Sequence, residues 1–340
     1  MSTGQRLGLI VNPQAGRGGA HNVRVAARLV ESLHPAIILV GPGDLGADAL
    51  TGAPVTRQIV DSGAAQGGDH TPALVRQMVT QGVDVLAVVG GDGTMADVAF
   101  ALWKIGASVP ILGVGVGSAN VGPLVTCKGA DVRRLAGASL AACPVNGLIV
   151  GANDAVLGLG FNDVVIGFTV LATVDGQVVD VDAAQKIHGR NVPREPEGVW
   201  TDHTRVVKQG PYGETLVAHG NQVETVIVGL PDERFYGKAI AGGVLLSSLI
   251  GDPAGCLVCD HLLVRTRLDA TRHRQSEPVV SRYVGLGHGE MITGYGFRTG
   301  TALCADGNPL LIMREHDRAQ VSVQKGIATA LRLAEGQCKS

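Results

Sequence analysis

Apolar positions in the first third of the chain fall into short runs, separated by stretches of helical spacing. Leu7 to Val11 predicts a buried strand, and His21 to Leu33 follows with helix-compatible periodicity. Ala36 to Val40 and Arg57 to Val60 predict two more strands. Thr71 to Thr80 predicts a helix, with Leu74, Val75 and Met78 on one face and Thr71-Pro72 as its cap and first turn. The β-branched run Val83 to Val89 reads as a buried strand that breaks into Gly90-Gly91-Asp92-Gly93-Thr94, before a helical segment from Met95 to about Ile105. Val109 to Val114 is the next strand. Alternation at these lengths predicts an α/β domain whose parallel sheet is wrapped by helices, with ligands bound at the carboxyl ends of its strands.

After about Val121 the pattern changes. Asp131 to Ala142 predicts one helix. Short strand-like pieces follow at Val145 to Val150, Ala155 to Leu157, Asp163 to Ala172, Gln177 to Val181, Val206 to Lys208, Thr215 to Ala218 and Val223 to Val228. They continue through Cys256 to Leu268, Val279 to Val284, Ala302 to Cys304 and Leu310 to Met313, so this part is mostly β. His188 to His203 reads as a surface excursion, and Gln324 to Ala334 as a helix.

Composition narrows the partners. A chain of 340 residues is long enough for two domains, and a net charge of −2 without a basic run argues against nucleic acid. No apolar stretch is long enough to span a membrane, and the N-terminus lacks a secretory signal, so a cytoplasmic protein is expected. Cys256 and Cys259 form a C-x-x-C that invites a zinc or redox reading, but the segment is strand-like and has no second pair. Reduced cysteines are expected throughout.

Candidate chemistry gathers in the glycine turns. Gly90, Gly91 and Gly93 surround Asp92 and let a polyphosphate approach backbone N–H groups, while Asp92 can orient or deprotonate a hydroxyl or help hold a metal. The structural alternative is a strand-to-helix turn capped by Asp92 or Thr94. Asn12-Pro13-Gln14-Ala15-Gly16-Arg17-Gly18-Gly19 is a second strand, glycine loop and helix, without the G-K-[ST] ending of a Walker loop. Gly113 to Gly117 gives G-x-G-x-G, but neither the spacing nor the downstream acid of a dinucleotide fingerprint is met. That loop offers Ser118 and Asn120 to a ligand instead. Further on, Asn162-Asp163 can meet a purine edge or ribose hydroxyls, or simply form a turn. Tyr236-Gly237-Lys238 before Gly242-Gly243 joins an aromatic face to a cation, or is a helix entry with Lys238 solvated. Asp306-Gly307 predicts a hairpin turn.

Taken in order, NP-x-A-G-x-G-G, GGDGT, FNDVVIG, the Tyr/Gly-Gly segment and the late D-G turn resemble the NAD kinase and diacylglycerol kinase superfamily. The detailed match looks closest to its acetoin catabolism protein X (AcoX) branch. The resemblance implies a Rossmann-like three-layer nucleotide-binding domain, residues 1–120, to which a C-terminal helix, 324–340, returns. It implies a β-sandwich substrate domain over residues 121–323. It places Asp92 at the acceptor hydroxyl or at Mg²⁺, and Gly90, Gly91, Gly93 and Thr94 around the phosphates. Asn12, Gly16, Gly18 and Gly19 complete the cradle, with Arg17 or Lys238 adding charge. Asn162 and Asp163 fall on the acceptor, as does the Tyr236 segment, whose hydroxyl-bearing start in NAD kinases is replaced here. The expected activity is phosphoryl transfer from ATP or another donor to NAD, in at least a homodimer. The alternatives are a small polyol or acetoin-pathway acceptor, or a silent nucleotide-binding accessory protein.

Overall fold

The computed structural model describes residues 5–61, 70–117, 120, 122–174, 177–231, 251–260 and 281–334. The chain divides into two compact units, residues 1–145 with 326–340, and residues 146–325.

In the first unit, β1 (Arg6–Val11), α1 (Gly19–Leu33), β2 (Ile37–Val40), β3 (Thr56–Ile59), α2 (Thr71–Thr80), β4 (Val85–Gly90), α3 (Asp92–Lys104), β5 (Ile111–Gly115) and β6 (Val125–Lys128) follow in order. The strands pair in parallel in the order β3-β2-β1-β4-β5, with Val11 beside Val89 and Gly90 beside Gly115. This order reverses between β1 and β4. Connections leaving those two strands therefore diverge, which opens a crevice at their carboxyl ends.

Helix α1 buries Val25, Ala26, Leu29, Val30 and Leu33, a spacing of three and four residues that lays one stripe on the sheet. That stripe packs on Leu7, Leu9, Val11, Val85, Ala87 and Val89. On the opposite face, a side chain at Gly8 would run into Met78 of α2, and one at Gly113 into Met95 of α3. Helices thus cover both faces, as the expected three layers require. Helix α3 starts three residues earlier than its apolar pattern suggests, so Asp92, Gly93 and Thr94 form its first turn.

The second part of the chain continues with β7 (Leu140–Ala152), β8 (Ala155–Gly160), β9 (Asp163–Gly167), β10 (Thr169–Val174), β11 (Gln177–Asp182) and α4 (Ala183–Lys186). After these come β12 (Arg205–Gly210), β13 (Gly213–His219), β14 (Thr225–Gly229), β15 (Ala254–Cys259), β16 (Ser281–Leu286), β17 (Met291–Tyr295), β18 (Ala302–Ala305), β19 (Asn308–Ile312) and β20 (Arg318–Leu333). One antiparallel sheet runs β16-β15-β14-β9-β18-β19, and β13, β12, β17 and the first half of β20 pair antiparallel in another. Val226, Val228, Cys256, Ile166 and Leu303 of the first sheet share a core with Val206, Ile292, Ala319 and Val321 of the second, which makes a sandwich.

Several expectations are corrected. Residues Asp131 to Ala142 are not a helix: a 3₁₀ segment ends at Leu135, Gly137 turns at φ 67, and β7 begins at Leu140. The anticipated C-terminal helix is strand β20 as far as Leu333; residues 335–340 lie outside the described residues. Here pairing overrides the helical preference of an Ala- and Leu-rich segment. Ala330 sits beside Ile111 of β5, the Thr126 hydroxyl donates to the Leu331 carbonyl, and Arg332 donates to the Val125 and Pro123 carbonyls. Residues 163–172 form two strands rather than one, divided at Phe168.

The His188 to His203 excursion is anchored at both ends. Arg194 pairs with Asp182 and Glu197, Arg298 also reaches Glu197, and the Trp200 indole N–H donates to Glu224. Cys256 and Cys259 are free, fully buried thiols three positions apart on β15, so they point to opposite faces and cannot share a metal. Burial pushes both up to about 12. Cys143 is disulfide-bonded, so the expectation of reduced thiols throughout fails there. Among the described residues, no helix is long and apolar enough to cross a membrane.

Candidate active site

Three loops of the first unit leave the carboxyl ends of the adjacent parallel strands β1, β4 and β5. Hydrogen bonds knit them together. The Asn12 N–H donates to the Val89 carbonyl at 2.9 Å, and the Asn12 side-chain amide donates to the Thr94 hydroxyl at 2.8 Å. Its own side-chain oxygen accepts from the Gln14 N–H at 2.9 Å. One arm of Asn12 thus ties the first loop to α3 and the other holds the turn of its own loop, and Thr94 is buried beneath the first contact. Gly90 lies within β4, its carbonyl accepting from the Val116 N–H at 2.9 Å.

Asp92 is half-buried in the first turn of α3, and one carboxylate oxygen accepts from the Gly122 N–H at 2.9 Å. This bond comes from the chain beyond β5 and fixes the carboxylate in orientation. Helices α1 and α3 both begin behind a glycine, Gly18 and Gly91, and neither start is capped by a side chain. Their first-turn N–H groups therefore remain donors for an anion. Asn120, at φ 54, donates to the Gly117 carbonyl at 2.5 Å, while its buried side-chain oxygen has no hydrogen-bond partner among the described residues.

The close approach of the loops dictates glycine at one position in particular. Gly16 has φ 56, and a Cβ there would fall 1.8 Å from the Val116 carbonyl oxygen. Beneath the loop, Asn22 is fully buried and donates from its amide to the carbonyls of Asn12 at 2.9 Å and Ala15 at 2.8 Å. The same carbonyls also tie the loop to itself, that of Asn12 accepting from the Ala15 N–H at 3.3 Å and that of Ala15 from the Gly18 N–H at 3.1 Å. Sequence reasoning missed Asn22, although a signal was present: it is a polar residue on the stripe formed by Val25, Ala26 and Leu29.

In the second unit, Phe161 and Asn162 make the tight connection from β8 to β9, with Asp163 as the first residue of β9. Asn162 and Asp163 are half-buried. The hairpin turn between β18 and β19 is present as expected, with Asp306 at φ 48 and Gly307 at φ 77. Its carboxylate has a further task. One oxygen accepts from Phe161 N–H at 2.7 Å, and the other from Asn162 at 2.7 Å and Asp163 at 3.2 Å. Burial, with the Asp163 charge adding to it, pushes the Asp306 carboxyl up to about 7 against the pull of those three donors.

Tyr236, Lys238 and Ser118 lie outside the described residues. A recess of mixed polarity, lined by Leu102, Trp103, Ser108, Ile327 and Thr329, lies at the far end of α3, whose 13 residues extend roughly 20 Å at 1.5 Å per residue. It is remote from Asp92. No cluster of three or more His, Cys, Asp or Glu side chains among the described residues could hold a metal.

Comparison with known proteins bears on what this arrangement is. Residues 7–126, which contain all three loops, match the ATP-NAD kinase N-terminal domain family. A relative from Archaeoglobus fulgidus, named only as an uncharacterized protein, is 30% identical over 334 residues, 96% of this chain and 98% of its own length. Residues 7–126 belong to the ATP-NAD kinase N-terminal domain family. Solved structures share the fold. A yeast NADH kinase complexed with NADH superposes with a TM-score of 0.55 at 14% identity, covering 98% of this chain and 84% of that one. A protein named as a candidate diacylglycerol kinase from Bacillus anthracis gives 0.52 at 14% identity, with 97% of each chain covered.

Proposed function

We propose that the protein transfers the terminal phosphoryl group of ATP to a hydroxyl, with NAD as the leading acceptor. The observation that carries this reading is the placement of Asp92. It stands in the first turn of α3, oriented by the Gly122 N–H, beside two uncapped helix starts at the reversal point of a parallel sheet. Phosphoryl transfer needs positioning and charge neutralisation more than covalent chemistry, and this edge supplies both. N–H groups of Gly16, Arg17 and Gly19 in the first loop and of the α3 start take the donor's phosphate oxygens. Asp92 receives the proton of the acceptor hydroxyl or aligns that hydroxyl for attack.

ATP fits an edge made of backbone donors. The unpartnered Asn120 oxygen suits a ligand hydroxyl or a cation's water. Mg²⁺ takes one or two carboxylates plus substrate phosphates. With no side-chain cluster among the described residues, it would rest on the donor's phosphates, with Asp92 as its protein ligand. When bound, it neutralises phosphate charge. On the acceptor side, Asn162 and Asp163 offer an amide and a carboxylate to the adenosine end of a dinucleotide.

A second reading keeps the site and changes the acceptor to a small polyol or an acetoin-pathway compound. The Tyr236-Gly237-Lys238 start, which departs from the NAD kinase motif, favours it. Coupled ATP-consumption assays with NAD and with a panel of diols separate the two, and NADP formation is read with an NADP-specific dehydrogenase. Asp92→Asn is expected to lower kcat by about 10² to 10⁴, the usual worth of a positioned acid or base, with an unchanged circular dichroism spectrum. Tight nucleotide binding without turnover on any acceptor would instead indicate an accessory protein.

A further inference from the structure

We infer that Asp306 is a positioning residue for acceptor recognition, acting through the backbone of Phe161, Asn162 and Asp163. This inference rests on the reading that Asn162 and Asp163 meet the acceptor. Three consecutive N–H groups of one tight connection converge on a single carboxylate, at 2.7, 2.7 and 3.2 Å. The same connection is held from its carbonyl side. Leu230 N–H donates to the Asn162 carbonyl at 3.0 Å, and Asp306 N–H donates to the Asp163 carbonyl at 2.9 Å.

Every backbone polar group of Asn162 and Asp163 is therefore committed within the second unit. A hairpin turn needs no buried carboxylate. Asn-Gly or Gly-Gly would turn the chain between β18 and β19 equally well, and a buried carboxylate is costly unless its hydrogen bonds are needed. At Asp306 those bonds fix the direction in which the Asn162 amide and the Asp163 carboxylate point.

The experiment compares Asp306→Asn, Asp306→Ala, Asn162→Ala and Asp163→Ala with the wild-type chain. Three quantities are read: KM for NAD, KM for ATP, and peptide-resolved amide exchange over residues 158–166. In Asp306→Ala, KM for NAD is expected to rise about tenfold or more, the size of one lost buried hydrogen bond. KM for ATP should stay within about twofold, and exchange at 161–163 should quicken. Asp306→Asn retains one acceptor oxygen and should recover part of both effects.

If Asn162→Ala or Asp163→Ala weakens NAD use while both Asp306 variants leave it unchanged, the inference is overturned and the acceptor reading stands. If the Asn162 and Asp163 variants leave NAD use unchanged, the acceptor reading fails. Amide exchange then still decides whether Asp306 holds the connection, and unaltered exchange overturns that too. Should Asp306→Ala fail to fold, Asp306→Asn carries the same three measurements.

Discussion

Asp306 gives the protein a pH dependence opposite in sign to that of its paired acids. Its carboxyl titrates near 7 in the fold against an ordinary value of 3.8, so between those values the folded chain holds a proton that the unfolded chain has lost. The group's contribution to stability is complete below about pH 4 and declines as pH rises through about 7. Glu197, hydrogen-bonded by Arg194, and Asp317, hydrogen-bonded by the Arg314 N–H, are held below the ordinary carboxylate range. Their stabilisation is lost in more acid solution, as pH falls through that lower range. Urea midpoints measured from pH 4 to 8 are expected to fall with pH in the wild-type chain relative to Asp306→Asn, which cannot ionise. A constant difference between the two across that range would mean Asp306 stays ionised in the fold.

At the scale of elements, the glycine loops depend on distances that no larger residue tolerates. Gly16→Ala places a methyl where the Val116 carbonyl oxygen stands, so the loop must withdraw. A misplacement on the order of 1 Å can cost on the order of 10²-fold in rate, and we expect kcat/KM for ATP to fall by between about tenfold and that figure. Steady-state kinetics with ATP varied checks this.

Elements of this kind were partly legible in the chain. Helix α2 lies where the Leu74, Val75, Met78 stripe puts it, although His70 rather than Thr71 stands at its cap position, and β1 and β4 fall on their apolar runs. Strand β20 was not legible in its second half, because Ala330 and Leu331 are both buried. A strand covered on both faces shows no alternation. Strand β17 was missed for a related reason: it carries Gly294, which weakens a strand signal. A side chain at that position would strike the Phe297 ring. At the site, the glycine signature announced the loops, but Asp306 read only as a turn. Its three partners are more than 140 positions away in sequence.

For the whole molecule, the last described strand contributes to the first unit. Residues 326–340 group with residues 1–145, and Leu331 joins the core of Leu7, Leu9, Val89 and Leu112. Ending the chain after Lys325 removes that side chain, the Thr126 to Leu331 hydrogen bond and the Arg332 contacts. Losing one buried leucine alone costs roughly 2 to 5 kcal/mol. The truncated chain is expected to melt at a lower temperature, and limited proteolysis should cut first within residues 105–128. An unchanged melting curve would assign β20 no part in holding β5 and β6.

The same arrangement bears on how the protein is made. A ribosome delivers β5 long before β20, and all of residues 146–325 emerge in between. The stretch of β5 around Ile111 must therefore wait, without its last neighbour, until β20 has been made. Although β4 and β6 already pair with β5, its edge at Ile111 stays open, and an open strand edge in a nascent chain invites association with other chains. Cells that produce this protein quickly should need a holding chaperone during that interval.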